Sequence, residues 1–307
     1  MTRQRAAGRE TEGLTLEAIV VPYEVDRDDT GMARGPAGLL ERGLLDFPDA
    51  SVSVLRTEVW SRIEPTGTNR ARIVAELGRV TARAVATAHG RGRFPLILAG
   101  GCLSAVGVVA GLQRMGRELG AVWVDAHGDF NTPESSPSGY WDGMALAAVC
   151  GRSLPQVYQE AELRPLHHGH IVHLGGRAFD PPEVDDFRRL NVAVVAPEAV
   201  GAEGGQRGVA RLSGETGEIY LHVDLDGLDP RDAPAVNRPV PLGPRADDLL
   251  RCLAGPRRFA ALTLTGMDFD RVDEAHAELT VETCRRLLEA LVLDRAAGDP
   301  SSGRPGA

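Results

Sequence analysis

Short apolar runs recur along this chain, and most are followed by a longer stretch with helical spacing. The runs are Leu16–Val21, Phe94–Leu98, Ala121–Val124, Ile171–Leu174, Val192–Val195, Glu218–Val223 and Ala260–Leu264. Helical spacing covers Asn69–Ala88, Leu103–Leu119, Arg245–Leu253 and Leu279–Asp294. Apolar strands this short are buried on both faces, so they need helices on either side and crossover connections between them. The pattern predicts an α/β fold around a mainly parallel sheet. No Pro/Gly/Ser linker divides the middle and no repeat period appears, so residues 1–295 read as a single domain. The segment 296–307 (AAGDPSSGRPGA) reads as a disordered tail.

Composition excludes several function classes. The formal net charge is −9 and no basic block is present, which argues against a nucleic-acid partner. No apolar run approaches the length of a spanning helix, so no membrane partner is expected. The four cysteines, Cys102, Cys150, Cys252 and Cys284, lie far apart without a paired spacing. With no secretory pattern at the start, a reduced, cytoplasmic protein is the expectation.

In sheets of this kind, ligands collect outside the carboxyl ends of the strands. The chemistry should therefore lie in the residues that close each apolar run. After Ala121–Val124 comes Asp125-Ala126-His127-Gly128-Asp129-Phe130-Asn131. In an extended segment the side chains of Asp125, His127 and Asp129 share one face. After Glu218–Val223 comes Asp224-Leu225-Asp226-Gly227-Leu228-Asp229-Pro230, in which Asp224 and Asp226 share a face. A single such pair is as well explained by turn or helix capping. Two arrays at the ends of core strands would crowd like charges unless a cation held them, and carboxylate with imidazole suits a divalent ion. A third strand end, Leu98-Ala99-Gly100-Gly101-Cys102-Leu103-Ser104, lacks the glycine spacing of a dinucleotide turn.

These residues resemble the arginase/agmatinase (ureohydrolase) family. DAHGDFN (125–131) and HVDLDGLDP (222–230) match its two long metal motifs, and 31–44 and 174–183 resemble further family segments. The resemblance implies a three-layer α/β/α fold and a centre of two Mn²⁺ ions. It also implies that Asp125, His127, Asp129, Asp224 and Asp226 are metal ligands. Asn131 and Ser138 match residues that hold an α-carboxylate in arginases, and Asp180 matches the acid that faces the α-amino group. The implied partner is a small guanidino or hydroxyguanidino amino acid; the oligomeric state stays open.

Three departures bear on the substrate. The family's histidine ligand in GGDHS falls on Cys102, which implies a thiolate ligand and a more electron-rich, less acidifying cluster. The family's proton-shuttling histidine falls on Asp142, a turn residue or a catalytic one. The guanidinium-binding glutamate has no clear counterpart in 263–270, where Asp268 is the acid that could replace it. His222 reads as a buried histidine rather than a proton relay. The cysteine and the missing histidine together resemble hydroxyarginine-hydrolysing members of the family. This implies hydrolysis of Nω-hydroxy-L-arginine to L-ornithine and hydroxyurea, with Asp129 and Asp142 as catalytic residues. Hydrolysis of another guanidino compound, a related metal-dependent deacetylase and a catalytically impaired metal-binding homologue remain the alternatives.

Overall fold

The computed structural model describes residues 14–47, 53–64, 66, 68–116, 118–254 and 259–293. Its strands are β1 (Thr15–Val21), β2 (Ser53–Glu58), β3 (Phe94–Ala99), β4 (Leu119–Val124), β5 (Ile171–Leu174), β6 (Ala193–Val195), β7 (Glu218–Asp224) and β8 (Phe259–Thr265). They form one sheet in the order β2-β1-β3-β8-β7-β4-β5-β6. Every pairing between these strands is parallel. The helices are α1 (Gly31–Glu41), α2 (Arg70–Gly90), α3 (Ser104–Gln113), α4 (Ala145–Val149) and α5 (Pro155–Glu160). They continue with α6 (Pro181–Leu190), α7 (Pro197–Val200), α8 (Glu203–Glu215), α9 (Ala246–Leu253) and α10 (Glu274–Leu288).

Strand alternation divides the interior into two cores. Ile19, Ile97, Ala121, Trp123 and Tyr220 pack on one face with α2, α3, α4 and α5. Leu16, Leu96, Leu98, Val122, Leu221 and Leu262 pack on the other with Leu39 of α1, Val209 of α8, Leu249 of α9 and Leu287 of α10. This is the expected three-layer α/β/α arrangement, with buried strands that carry apolar side chains in both directions.

Several elements escaped the apolar pattern for physical reasons. Strand β2 (SVLRTE) is an edge strand with mostly exposed side chains, so it has no apolar run. Helix α8 carries Gly204, Gly205, Gly208 and Gly214, poor helix formers that mask its amphipathic face. Helix α6 is mostly charged, and it starts at a capping box in which Asp180 and Glu183 satisfy each other's backbone N–H groups. Helix α3 ends at Gln113, earlier than the spacing predicts, because Gly116 adopts φ +74° and β4 begins at Leu119. The tail 296–307 lies outside the described residues.

The middle of the sheet positions the site. Strands β3, β8, β7 and β4 are neighbours, and their carboxyl ends carry Cys102, Gly266, Asp224 and Asp125. The insertion of β8 and β7 between β3 and β4 opens a crevice there, the usual ligand position in such sheets.

Candidate metal centre

The segment after β4 is not extended. The chain bends at Ala126 and His127, the His127 N–H donates to Asp125 Oδ1 at 2.7 Å, and Asp129 takes φ +51°. Expectation and structure agree on which side chains converge, but a turn gathers them rather than strand alternation. Asp224 ends β7 and accepts from the Asp226 N–H at 3.0 Å, which folds Leu225–Gly227 into a 3₁₀ turn and brings both carboxylates inward.

Two groups of donor atoms lie together, each within 4.8 Å: Cys102, Asp125 and Asp129 in one, and Asp125, His127 and Asp226 in the other. Asp125 belongs to both, so two ions held by these groups would share a carboxylate. The thiol of Cys102 lies 3.2 Å from Asp224 Oδ2, which ties β3 to β7. His127 Nδ1 stands 3.2 Å from Asp226 Oδ2 and 3.5 Å from Asp125 Oδ1. Asp129 Oδ2 is buried and has no hydrogen-bond partner. A buried carboxylate oxygen left over among oxygen, imidazole and thiol donors fits a divalent cation.

The electrostatics agree with that fit. Burial, followed by the charges of Asp125, Asp142 and Asp224, pushes the Asp129 carboxyl well above its ordinary range. Burial, then Asp226 and Asp125, does the same to Asp224. Burial raises the Cys102 thiol well above a free cysteine, and the carboxylates of Asp129 and Asp224 raise it further. Burial pulls His127 down, but hydrogen bonds to Asp125 and Asp226 outweigh it and push it up to about 12. Without a cation, protons must occupy this cluster. A divalent ion would take their place.

Residues behind the cluster orient it. Trp123 Nε1 donates to Asp125 Oδ2 at 3.2 Å. His173 Nε2 donates to the His127 carbonyl at 2.7 Å. Arg177 donates to the carbonyl oxygens of Gly175, Asp226, Gly227, Leu228, Val240 and Pro241, fastening the turn after β7 to the loop at 240–241. Glu183 accepts from the Phe130 and Asp180 N–H groups at 2.8 Å. Nothing in spacing alone marks Arg177, because its partners are main-chain atoms of other segments.

A cavity of about 240 Å³ opens over the cluster and is lined by Cys102, Asp125, His127, Asp129, Asn131, Ser138, Asp142, Asp180, Asp224 and Asp226, the expected metal, catalytic and head-group residues. Asn131 Nδ2 donates to Asp180 Oδ2 at 2.8 Å, which joins two of the three head-group candidates. Ser138 accepts from the Tyr140 N–H at 3.2 Å. Asp142 is a buried residue of a 3₁₀ turn whose Oδ1 accepts from the Leu103 N–H at 2.8 Å. Burial raises its carboxyl to about 7 against the opposing pull of those N–H groups. The lining also includes Met32, Tyr140, Asn237, Arg238 and Gly266, which sequence reasoning missed.

One other expectation changes, and that of a buried His222 holds. Asp268 lies against Gly31 at the start of α1, accepts from the Asp270 N–H, and does not line the cavity. The residue of that segment at the cavity is Gly266. His222 is fully buried, stacks on Trp123 with ring centroids 3.7 Å apart, and exchanges a hydrogen bond with the Tyr220 hydroxyl at 2.9 Å. It is packed beneath the site and does not reach the cavity.

Known proteins resemble this chain in sequence and fold. The sequence model of the Arginase family matches residues 17–291. An arginase of Bacillus caldovelox is 35% identical over 242 residues, which cover 73% of this chain and 80% of that one. The crystal structure of arginase from Bacillus cereus superposes with a TM-score of 0.79 at 27% identity, covering 91% of this chain and 98% of that one. The native arginase structure from Bacillus caldovelox gives 0.78 at 28% identity, over 92% and 98% of the two chains. With the carboxylate-rich donor groups at the ends of the same central strands, these matches show that the chain belongs to the arginase family, metal-dependent ureohydrolases acting on guanidino C–N bonds.

Proposed function

We propose that the chain is a cytoplasmic binuclear manganese hydrolase that cleaves Nω-hydroxy-L-arginine with water to L-ornithine and hydroxyurea. Residues 1–295 form its single catalytic domain in this reading. The observation that carries the reading is Cys102 beside Asp224 in the donor set, at the position where the family resemblance expects histidine. A thiolate donates more charge to an ion than imidazole does, so the centre is a weaker Lewis acid. Hydroxylation makes a guanidine less basic, and a less acidic centre suffices for a neutral group. Two further features support the same substrate. The family's shuttle histidine is replaced by Asp142, a buried carboxyl whose Oδ1 accepts from the Leu103 N–H, so proton delivery falls to an acid instead of an imidazole. Gly266 offers the cavity no carboxylate for a full guanidinium charge.

In this reading Cys102, Asp125, Asp129 and Asp224 would hold one ion, and Asp125, His127, Asp224 and Asp226 would hold the other. When bound, the ions supply Lewis acidity that activates water and stabilises charge developing at the guanidine carbon. Asp129 orients the attacking water. Asp142 passes a proton to the departing nitrogen. Asn131, Ser138 and Asp180 hold the α-amino acid head, which agmatine lacks in part.

The test is competition among Nω-hydroxy-L-arginine, L-arginine and agmatine with manganese-loaded protein, with hydroxyurea and urea measured separately. The hydroxylated compound should lead in kcat/KM by about ten-fold or more, with part of the gain in kcat. Equal turnover of arginine or agmatine would overturn this substrate.

A further inference from the structure

The cavity is lined by a crowd of acids and, apart from His127, one cationic side chain, Arg238. Its place is set by the backbone. The Asn237 N–H donates to the Gly266 carbonyl at 3.0 Å, and Val236 bridges Met267, so the 236–238 segment runs beside the end of β8. Gly266 in turn touches Asp224, where a Cβ would meet Oδ1 at 2.0 Å. Arg238 therefore starts next to the donor cluster and reaches back across the mouth, where it is exposed.

There it meets a prepared surface. The Arg238 guanidinium lies over the Tyr140 ring, with Cζ 5.1 Å from the centroid. The Tyr140 hydroxyl donates to Glu24 Oε1 at 2.7 Å, which fixes the ring from behind. Among the described residues Arg238 pairs with no carboxylate, unlike Arg34, Arg42, Arg93, Arg152 and Arg245. A guanidinium resting over an aromatic ring still has N–H donors free for a planar, two-point partner, which is the geometry of a carboxylate.

The groups that sequence reasoning assigned to the substrate's carboxylate supply no such charge. Asn131 is spent partly on Asp180, and its Oδ1 accepts from Ser135 at 3.0 Å. Ser138 is neutral and already accepts from the Tyr140 N–H. Asp180 and Arg238 present opposite charges to the same cavity, a complement to the ammonium and carboxylate of an α-amino acid.

We infer that Arg238 is a specificity-determining residue that binds the substrate's carboxylate and selects α-amino acids over their decarboxylated amines. The inference rests on the proposed amino acid substrate. The experiment is calorimetric binding of L-ornithine and of putrescine to the manganese-loaded full chain, in wild type, Arg238→Gln and Arg238→Lys. Wild type should prefer ornithine. Arg238→Gln should weaken ornithine binding about ten-fold and leave putrescine nearly unaffected, and Arg238→Lys should recover part of the loss. No preference in wild type, unchanged binding in Arg238→Gln, or equal weakening of both ligands would each overturn the inference. The last outcome would mean that Arg238 only screens the acidic cavity. If the ornithine pattern held but no guanidino amino acid were turned over, the proposed reaction would fall while the role of Arg238 stood.

Discussion

The Cys102 thiol donates to Asp224 Oδ2 across 3.2 Å, joining the end of the third strand to that of the seventh. A core thiol that only filled space would face apolar neighbours. This one faces a carboxylate in a cluster of donors. Cys102→Ser should weaken binding of one ion about 10–100-fold, the usual cost of disturbing a metal's surroundings. Manganese content should then fall toward one per chain, and bound metal should protect Cys102 of the wild type from thiol reagents. Full metal content in the serine variant would refute the ligand assignment.

Asp129 offers a sharper count of ions. Its Oδ2 has no protein partner, so Asp129→Ala removes no hydrogen bond from that atom and relieves crowded charge. The metal-free variant should be as stable as the wild type or more so, while the loaded protein loses one ion. Metal analysis by mass spectrometry after reconstitution separates the outcomes; two ions per chain in the variant would exclude a ligand role.

Stability without metal should depend on pH with a defined sign. His127 is raised from 6.5 to about 12, so the stability it contributes is complete below about pH 6.5 and drains away as pH rises toward 12. Raised carboxyls at Asp129 and Asp224 act in the same direction, since their favourable protons are lost as pH rises. His173 and His222 are lowered by burial and act oppositely, but their effect is complete by about pH 6.5, the ordinary histidine value. Between pH 7 and 9 the metal-free protein should therefore lose stability, and the extra stability given by Mn²⁺ should widen. Urea denaturation with and without metal across that range measures both trends; a rising midpoint for the metal-free chain would contradict them.

Arg177 should matter to the fold as much as to the site. It satisfies six carbonyl groups around the turn that carries Asp226. Arg177→Ala strands several of them at once and should cost about 2–4 kcal/mol. Lysine has no planar fork, so Arg177→Lys should recover little of that loss. Thermal unfolding checks both variants, and a loss under about 0.5 kcal/mol would show that solvent replaces the guanidinium freely.

Much of this was legible beforehand because burial writes a strong pattern. Core strands such as Leu119–Val124 and Phe259–Thr265 are buried throughout and mostly apolar, and the acids that follow them stand out against that background. What stayed hidden depends on other segments. The polar edge strand Ser53–Glu58 is held by pairing with the first strand, not by its own side chains. Asp268 looked available from spacing, yet the approach of the first helix at Gly31 claims it. Arg238 looked like any loop arginine until Tyr140, nearly a hundred residues earlier, came to lie beneath it.

Gly266 limits how this pocket can change. It adopts φ +79°, and any Cβ there would collide with the carboxylate of Asp224. No side chain can be introduced at that position without first displacing a member of the donor cluster, so a one-step mutational route to a new acid on that wall is closed. Drift in substrate preference must instead run through the rim, where Tyr140 and Arg238 can be exchanged without disturbing the cluster. The wall beside the chemistry is evolutionarily frozen, while the entrance remains open to selection.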